Sequence, residues 1–265
     1  GRRGGGEVGG METVARRVGT DKGNRCGYDR RLIATGSLPF ILPVPGARLD
    51  GVIAFRDIQD VRRMVSTAEG GGRAVVIGGG LLGLEAANGL RTLGMDVTVI
   101  HLMETLMERQ LDGAAGFLLR RELEGRGIEV LTGATTEENV GDEAVKGVKL
   151  KDGRTVPADL VVMAAGIRPN IALARDAGLD CNRGIVVDDF MRTSDPSILA
   201  VGECVEHRGQ AYGLVAPLWE MLRAVGHTLA GADGSGHRGP LTSPKPTATG
   251  AYAGPSRHAP PRHRR

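Results

Sequence analysis

Apolar residues at two different spacings divide the stretch from 73 to 101 into three predicted elements. Arg73 to Gly78, "RAVVIG", is a β-branched apolar run that ends at a glycine, which is typical of a strand buried on both faces. The following "LLGLEAANGLRTLG" places apolar residues at helical spacing and stops at Gly94, a favourable residue just after a helix. Asp96 to His101 then forms a second apolar strand. The predicted order is strand, glycine turn, helix, strand.

Similar patterns continue on both sides of this unit. A short strand is predicted at Leu32 to Ala34, and a helix follows from residue 57. A second helix begins after Asp112, which suits an N-cap, and leads into the strand "IEVLTG". A β-meander with Asp-Gly at its turn comes next, followed by an apolar strand from Leu160 to Ala164. This alternation predicts an α/β fold, a doubly wound, Rossmann-like domain that carries a β-meander.

The C-terminal third contains two short strands and one long helix. The strand "SILAV" is followed directly by Gly202 and Glu203, and the carboxyl ends of strands are where open α/β sheets place ligands. A turn with a solvated glutamate is the alternative. In the helix "LVAPLWEMLRAVGHTLAG", apolar residues predict one face, formed by Leu218, Leu222, Val225 and Leu229.

Both ends of the chain lack apolar periodicity. Residues 1–27 begin "GRRGGGEVGG" and are predicted to be poorly ordered. Residues 231–265 are rich in glycine and proline, which predicts a disordered tail. This tail holds six Lys or Arg and one Asp, so the net charge of +3 for the whole chain resides there. Without an aromatic platform or a known motif, that charge does not favour nucleic-acid binding.

Composition excludes several classes of protein. The apolar runs are of strand length, far below the roughly 20 residues of a membrane span, and the N-terminus has no signal-peptide pattern. We therefore expect a cytoplasmic protein without a membrane partner. Cys26, Cys181 and Cys204 have no spacing suited to a disulfide framework, a metal site or a redox pair, so we predict no metal and no catalytic cysteine.

The glycine turn carries the main chemical prediction. Gly78 would let the chain leave the strand sharply, Gly80 would let a pyrophosphate approach the backbone, and Gly83 would let the helix pack closely on the sheet. The start of the helix then offers N–H groups to phosphates. A turn without a ligand is the alternative. His101 stands where an acidic residue commonly binds the ribose of NAD, so NADH is only weakly favoured over NADPH.

Four motifs occur in a fixed order: "ATG" at 34–36, the glycine turn with Glu85, "AAGIRPN" at 164–170 and "ILAVGECVEH" at 198–207. This series resembles the FAD-dependent pyridine nucleotide–disulfide oxidoreductase superfamily. Within that superfamily, "VIHLMETLMERQLD" and "VGECVEHRGQAYGLVAP" are most similar to the flavin-bearing part of the assimilatory NAD(P)H nitrite reductase large subunit.

The resemblance implies two cofactors, FAD and NAD(P)H, and an enzyme that passes a hydride from one to the other. Matching positions place NAD(P) at Gly78, Gly80 and Gly83, with Glu85 near the nicotinamide and His101 and Gly166 as further cofactor-binding positions. Thr35 and Gly36 would lie close to FAD. Gly202 and Glu203 match a Gly-Asp pair that binds the ribityl and phosphate groups of the flavin.

The chain departs from the family pattern at its N-terminus, where residues 1–27 contain no FAD-binding βαβ unit. The expected organisation is a partial FAD segment at 28–50, an NAD(P)-binding domain at 51–170 and a second FAD segment at 171–230. Two hypotheses follow. The chain is either an oxidoreductase module that donates electrons to an acceptor domain or chain, or an NAD(P)-binding fragment that retains no FAD and has no turnover of its own. A homodimer remains open.

Overall fold

A computed structural model of the chain describes residues 6–213, 215–231, 236, 237 and 239, and these form two compact units. One unit comprises the residues up to Leu38 together with those from Ile167 onward, and the other comprises Pro39–Gly166. The first boundary lies twelve residues before the predicted domain limit at 50, and the second lies four residues before the predicted limit at 170.

Short strands dominate the described chain. In chain order they are β1 (Val8–Glu12), β2 (Arg17–Thr20), β3 (Arg25–Gly27), β4 (Arg31–Ile33), β5 (Ser37–Pro39), β6 (Val52–Ala54), β7 (Arg73–Ile77), β8 (Asp96–Ile100), β9 (Ile128–Leu131), β10 (Thr136–Gly141), β11 (Val145–Leu150), β12 (Thr155–Pro157), β13 (Leu160–Met163), β14 (Ile167–Pro169), β15 (Ile185–Val187), β16 (Ile198–Ala200), β17 (Val205–His207) and β18 (Gln210–Ala211). The helices are α1 (Ile58–Ala68), α2 (Leu81–Thr92), α3 (Gly113–Gly125), α4 (Ala172–Asp176) and α5 (Val215–Ala230).

A five-stranded parallel sheet organises the unit Pro39–Gly166. Its strand order is β6-β13-β7-β8-β9, and every neighbouring pair is parallel. The predicted strand, glycine turn, helix and strand are β7, α2 and β8. In the central strands, Met163 pairs with Ile77 and Ile77 with Ile100, so the carboxyl ends of β13, β7 and β8 lie side by side.

The two faces of this sheet are covered differently. Val76, Val99 and Val162 pack in one core with apolar residues of α1, α2 and α3, including Met64, Leu84, Leu90, Leu119 and Leu123. Val75, Ile77 and Val161 pack in a second core with Val148 and Leu150 of the meander. The residues alternate because successive side chains of a strand point to opposite faces. The α/β Rossmann-like fold is therefore confirmed, with the meander β10-β11-β12 covering the second face.

The other unit contains smaller sheets around its own core. β4 pairs with β16 and β15 pairs with β17, both in parallel, while β18 runs antiparallel to β17. β5 pairs with β14. The core is formed by residues of these strands and of α4 and α5, among them Ile33, Ala174, Ile185, Leu199, Val205 and Met221.

The prediction of poor order for residues 1–27 is wrong for most of that segment. β1, β2 and β3 form an antiparallel sheet, with Met11 opposite Val18 and Val18 opposite Cys26. Only Met11 of these three strands is buried. Backbone pairing rather than an apolar pattern therefore builds this sheet, and pattern analysis has little to detect there. Residues 1–5 lie outside the described residues.

The predicted apolar face of the last helix is buried only in part. In α5 the buried side chains include Met221, Ala224 and Val225, whereas Leu222 and Leu229 are 42% and 46% exposed. The helix is rotated relative to its most apolar stripe because its neighbours in the unit decide which side is covered. The predicted tail, 231–265, lies outside the described residues except for 231, 236, 237 and 239. Within the described part of the chain, no helix is both long enough and apolar enough to cross a membrane.

Candidate functional site

Two glycines in the turn between β7 and α2 are required by close packing. Gly78 has a φ of +125°, and a Cβ at this position would overlap the carbonyl oxygen of Ala164, which follows the neighbouring strand β13. A Cβ at Gly83 would overlap the carbonyl oxygen of Gly78. The predicted roles of these residues in the sharp turn and in helix packing therefore agree with the geometry.

Gly80 occupies a different environment from Gly78 and Gly83. It is the N-cap residue of α2, its backbone is extended, and a Cβ there would meet nothing within 4 Å. The first backbone hydrogen bond of the helix runs from the Leu84 N–H to the Gly80 carbonyl, at 3.0 Å. The N–H groups of the first turn precede this bond and project from the helix start. The open space at Gly80 therefore lies beside backbone N–H groups that no side chain caps.

The other helices of the same unit begin with a carboxylate cap. The Asp57 side chain accepts hydrogen bonds from the N–H groups of Gln59 and Asp60 at the start of α1, in a complete capping box. The Asp112 side chain accepts one from the Ala115 N–H at the start of α3, at 2.8 Å, which confirms the predicted N-cap. α2 has neither a side-chain cap nor an acidic residue in its first turn. Its N-terminus is therefore available to an external anion.

His101 lies directly after β8 and braces the glycine turn. Its ring is nearly buried, and its Nδ1 accepts a hydrogen bond from the Gly79 N–H at 3.0 Å. Because Nδ1 is the acceptor, the ring hydrogen is on Nε2, which lies 3.1 Å from Oε2 of Glu108. The predicted position of His101 at the end of the strand is correct, but both ring nitrogens already have partners in the protein.

The loop between β8 and α3 holds the turn from the same side. The Met107 N–H donates to the Gly79 carbonyl at 3.0 Å, and the Leu106 and Met107 side chains are buried in the core beneath the helices. Both backbone groups of Gly79 are thus bonded to one segment, residues 101–107. This arrangement fixes the turn before any ligand arrives, which lowers the ordering cost of binding.

Glu85 and Gly166 complete the predicted positions in this unit. Glu85 lies one turn into α2, and burial raises the pKa of its carboxyl group. Gly166 comes three residues after β13 and has a φ of +120°; its carbonyl accepts a hydrogen bond from the Phe40 N–H at 2.9 Å. Neither the raised pKa of Glu85 nor the hydrogen bond of Gly166 identifies a ligand for these residues.

The second group of predicted residues meets in the other unit. Thr35 and Gly36 follow β4, and Gly202 and Glu203 follow β16; these two strands are parallel neighbours, so both turns lie at the same edge. The Ser37 hydroxyl donates to Oε2 of Glu203 at 2.7 Å and ties the turns together. The Thr35 hydroxyl donates to the carbonyl of Asn170 at 2.6 Å. These four residues thus lie on two neighbouring turns and form one cluster.

Three residues that contact the predicted site residues were not named from the sequence: Ser37, Gly79 and Glu108. Ser37 directly follows the "ATG" motif and Gly79 lies inside the glycine turn, so position in a motif was the available signal for both. Glu108 offered none, because it is seven residues from His101 in a loop without periodicity. Cys26, Cys181 and Cys204 form no disulfide, and Cys204 is buried.

The parallel sheet, its crossover helix and the glycine turn define an α/β protein of Rossmann type. Residues 4–217 match the family model described as pyridine nucleotide-disulphide oxidoreductase, and the chain belongs to this family. The predicted family is thereby confirmed, and with it the class of enzyme, an oxidoreductase.

Individual relatives agree with this assignment. The chain is 53% identical over 233 residues to a nitrite reductase [NAD(P)H] of Bacillus subtilis (strain 168), covering 88% of this chain and 29% of that protein. It is 47% identical over 233 residues to the assimilatory nitrate reductase electron transfer subunit of the same organism, covering 88% and 30%. A crystal structure of a ferredoxin reductase from Rhodopseudomonas palustris superposes with a TM-score of 0.83 at 30% identity, covering 88% of this chain and 59% of that one.

These figures show that the chain spans less than a third of the length of the two Bacillus proteins. The family and fold are therefore established for this chain, whereas the substrates and partners of the longer proteins are not transferred with them.

Proposed function

We propose that this chain is an NAD(P)H-dependent flavoprotein oxidoreductase module. NAD(P)H binds at the glycine turn of residues 78–83, a hydride passes from the nicotinamide to FAD, and the electrons leave for an acceptor domain or chain. In this proposal the unit Pro39–Gly166 is the NAD(P)-binding domain and the other unit contributes the FAD site.

The observation that carries the proposal is the uncapped start of α2. Among α1, α2 and α3, only α2 lacks a side-chain cap, and a Cβ at its N-cap residue Gly80 would meet nothing within 4 Å. A pyrophosphate seated beside Gly80 would supply the missing acceptors and would be stabilised by the positive end of the helix. Binding of a dinucleotide thus explains a feature that would otherwise leave α2 less stable than its neighbours.

The FAD site is supported by the cluster of Thr35, Gly36, Gly202 and Glu203 and by the family to which the chain belongs. When bound, FAD would accept the hydride; the protein would supply binding and orientation. Glu203 stands where the family pattern has aspartate, and its longer side chain is held by Ser37. This contact fixes the carboxylate at the edge where the two turns meet.

We infer that the acceptor is a further domain or chain. One relative is named as an electron transfer subunit, and a related structure is a covalent complex of putidaredoxin reductase with putidaredoxin. Nitrite reduction itself would require redox centres that this stretch of sequence does not carry. A homodimer remains a proposal without support from the geometry.

Retention of FAD distinguishes this function from its alternative, an NAD(P)-binding fragment without turnover. Ahead of β4, the described residues form the antiparallel sheet β1-β2-β3, not a strand, glycine turn and helix. Each lost charge-assisted hydrogen bond costs about 1.5–3 kcal/mol. We therefore propose that residues 6–231 hold FAD weakly and need added flavin for turnover.

The test combines spectroscopy with kinetics. The purified protein is examined for flavin absorbance, and oxidation of NADH by an artificial acceptor is then followed with and without added FAD. Turnover that depends on added FAD would support the proposal. Saturable NADH binding with no turnover at any FAD concentration would favour the fragment, and failure to bind NADH or NADPH would reject both.

A further inference from the structure

The end of β8 is where Rossmann-type proteins place the group that meets the adenosine ribose. In this chain His101 occupies that position. Its Nδ1 is bonded to the Gly79 amide and its Nε2 to Glu108, so the imidazole has no free nitrogen to offer a ribose or a 2′-phosphate. The outermost group of this pair is the Glu108 carboxylate, because the side chain of Glu108 is 31% exposed and that of His101 only 10%.

Glu108 is held in place from two directions. Its neighbour Met107 is buried and donates its N–H to the Gly79 carbonyl, which fixes the backbone next to the turn. Its carboxylate accepts from His101 Nε2 at 3.1 Å, which fixes the side chain. A negative charge is therefore anchored beside the end of β8 although no acidic residue stands in the strand itself.

In the described part of the chain, the neighbouring charged residues Glu104 and Arg109 are not hydrogen-bonded to His101. The Glu104 carboxylate lies against Gly133, where a Cβ would meet its Oε1 at 2.7 Å. Arg109 follows Glu108 in the chain and is exposed. Of Glu104, Glu108 and Arg109, Glu108 is the one hydrogen-bonded to the histidine that follows β8.

We propose that Glu108, held through His101, is the residue that makes this site select NADH over NADPH. This inference rests on the proposed binding of NAD(P)H at the glycine turn. A carboxylate at the ribose can accept hydrogen bonds from hydroxyls, but it repels a 2′-phosphate. Glu108 thus performs from the loop the selection that an acidic residue at the end of the strand performs in other Rossmann-type sites.

The test is the ratio of NADPH to NADH dissociation constants, measured by isothermal titration calorimetry. The variants are Glu108→Gln and, as the matched control in the same loop, Glu104→Gln. The glutamine at 108 keeps an acceptor for His101 Nε2, so the brace on Gly79 persists while the charge is removed. We expect the wild-type protein and the control to prefer NADH by roughly tenfold or more, and Glu108→Gln to bind NADPH about tenfold more tightly with little change for NADH.

The dependence of this ratio on salt concentration separates an electrostatic role of Glu108 from a purely structural one. Raising the ionic strength should reduce the preference for NADH in the wild-type protein and leave the ratio of Glu108→Gln nearly constant, because only the former involves charge repulsion by this residue. If Glu108→Gln melts like the wild-type protein, binds NADH and keeps the wild-type ratio, the inference is overturned and the proposed function stands. If the wild-type protein binds neither coenzyme, the proposed function fails and the inference with it.

Discussion

The starts of α2 and α3 differ, although both helices follow strands of one parallel sheet and pack in one core. α3 begins with Asp112, whose carboxylate binds a backbone N–H of the first turn. α2 begins with Gly80, which brings no side chain to its own amides. The stabilising contacts are instead made one residue earlier. His101 accepts a hydrogen bond from the Gly79 N–H, and the Met107 N–H donates to the Gly79 carbonyl.

This difference separates two uses of a helix N-terminus. A capped start is complete in itself and stabilises the fold by about 1 kcal/mol. An uncapped start whose turn is held rigidly by other parts of the chain keeps its amides directed at a fixed place. Rigidity without self-capping is the arrangement that binding of an anion requires.

The largest effect is expected from Gly83→Ala. A Cβ at Gly83 would overlap the carbonyl oxygen of Gly78, and a backbone group cannot move aside cheaply. We expect the free energy of unfolding to fall by about 2–4 kcal/mol, measured by urea denaturation.

The matched control for that variant is Gly89→Ala in the same helix. A Cβ at Gly89 meets nothing within 4 Å, so this change should stabilise the protein by about 0.5–1 kcal/mol. Equal effects of the two substitutions would show that helix propensity, and not the close approach to Gly78, governs position 83.

The second prediction gives α2 the cap that α1 and α3 possess. Gly80→Asp should raise the free energy of unfolding by about 0.5 kcal/mol, since Gly80 has the extended backbone of an N-cap residue. It should also weaken NADH binding at least about a hundredfold, because the carboxylate takes the amides and repels the pyrophosphate.

Gly113→Asp is the control for added charge. It places the same side chain at the start of α3, where a Cβ also meets open space. Calorimetry should show unchanged NADH affinity for this variant. Unchanged affinity in Gly80→Asp as well would mean that the start of α2 is not the binding site.

The third prediction removes the cap from α3. Asp112→Ala loses the hydrogen bond to the Ala115 N–H, so the free energy of unfolding should fall by about 1 kcal/mol. NADH affinity should not change, because the Asp112 carboxylate bonds to the first turn of α3 and not to the glycine turn. A variant that unfolds normally but binds NADH poorly would remove the distinction between the two helix starts.

The smallest effect concerns pH. Burial raises the pKa of Glu85 above its ordinary value of 4.5, so the folded protein holds this proton more tightly than the unfolded chain does. Stability from this residue is therefore fully present below about pH 4.5 and is lost as the pH rises through the folded pKa. Glu85→Gln should flatten that decline in urea denaturation between pH 4 and 7. An identical slope in both proteins would show that Glu85 ionises freely.

Local patterns predicted β7, α2 and β8 to within about two residues. These elements are long and strongly apolar, and their ends are marked by Gly78, Gly94 and, for the next helix, Asp112. The antiparallel sheet of residues 8–27 escaped detection because its strands bury almost no side chains, so neither alternation nor apolar runs distinguish it from coil.

The cluster of Thr35, Gly36, Gly202 and Glu203 could be named from sequence only through family resemblance. More than 160 residues separate its two turns, and no local pattern predicts that β4 and β16 are neighbours. In α5 the sequence showed an apolar stripe, but Met221 and Ala224, not Leu222 and Leu229, face the core. Burial depends on what packs against a helix, which its own sequence does not state.

The sequence by itself determined the order of strands and helices around the glycine turn, the need for glycine at 78 and 83, and the family. These depend on periodicity and backbone sterics, which act over a few residues. Only the tertiary structure decided that His101 braces Gly79 rather than facing solvent, that Glu108 binds the other nitrogen of its ring, and that Ser37 holds Glu203. Each of these contacts joins residues from separate loops, and loop conformation follows from packing against the rest of a unit rather than from the loop's own composition.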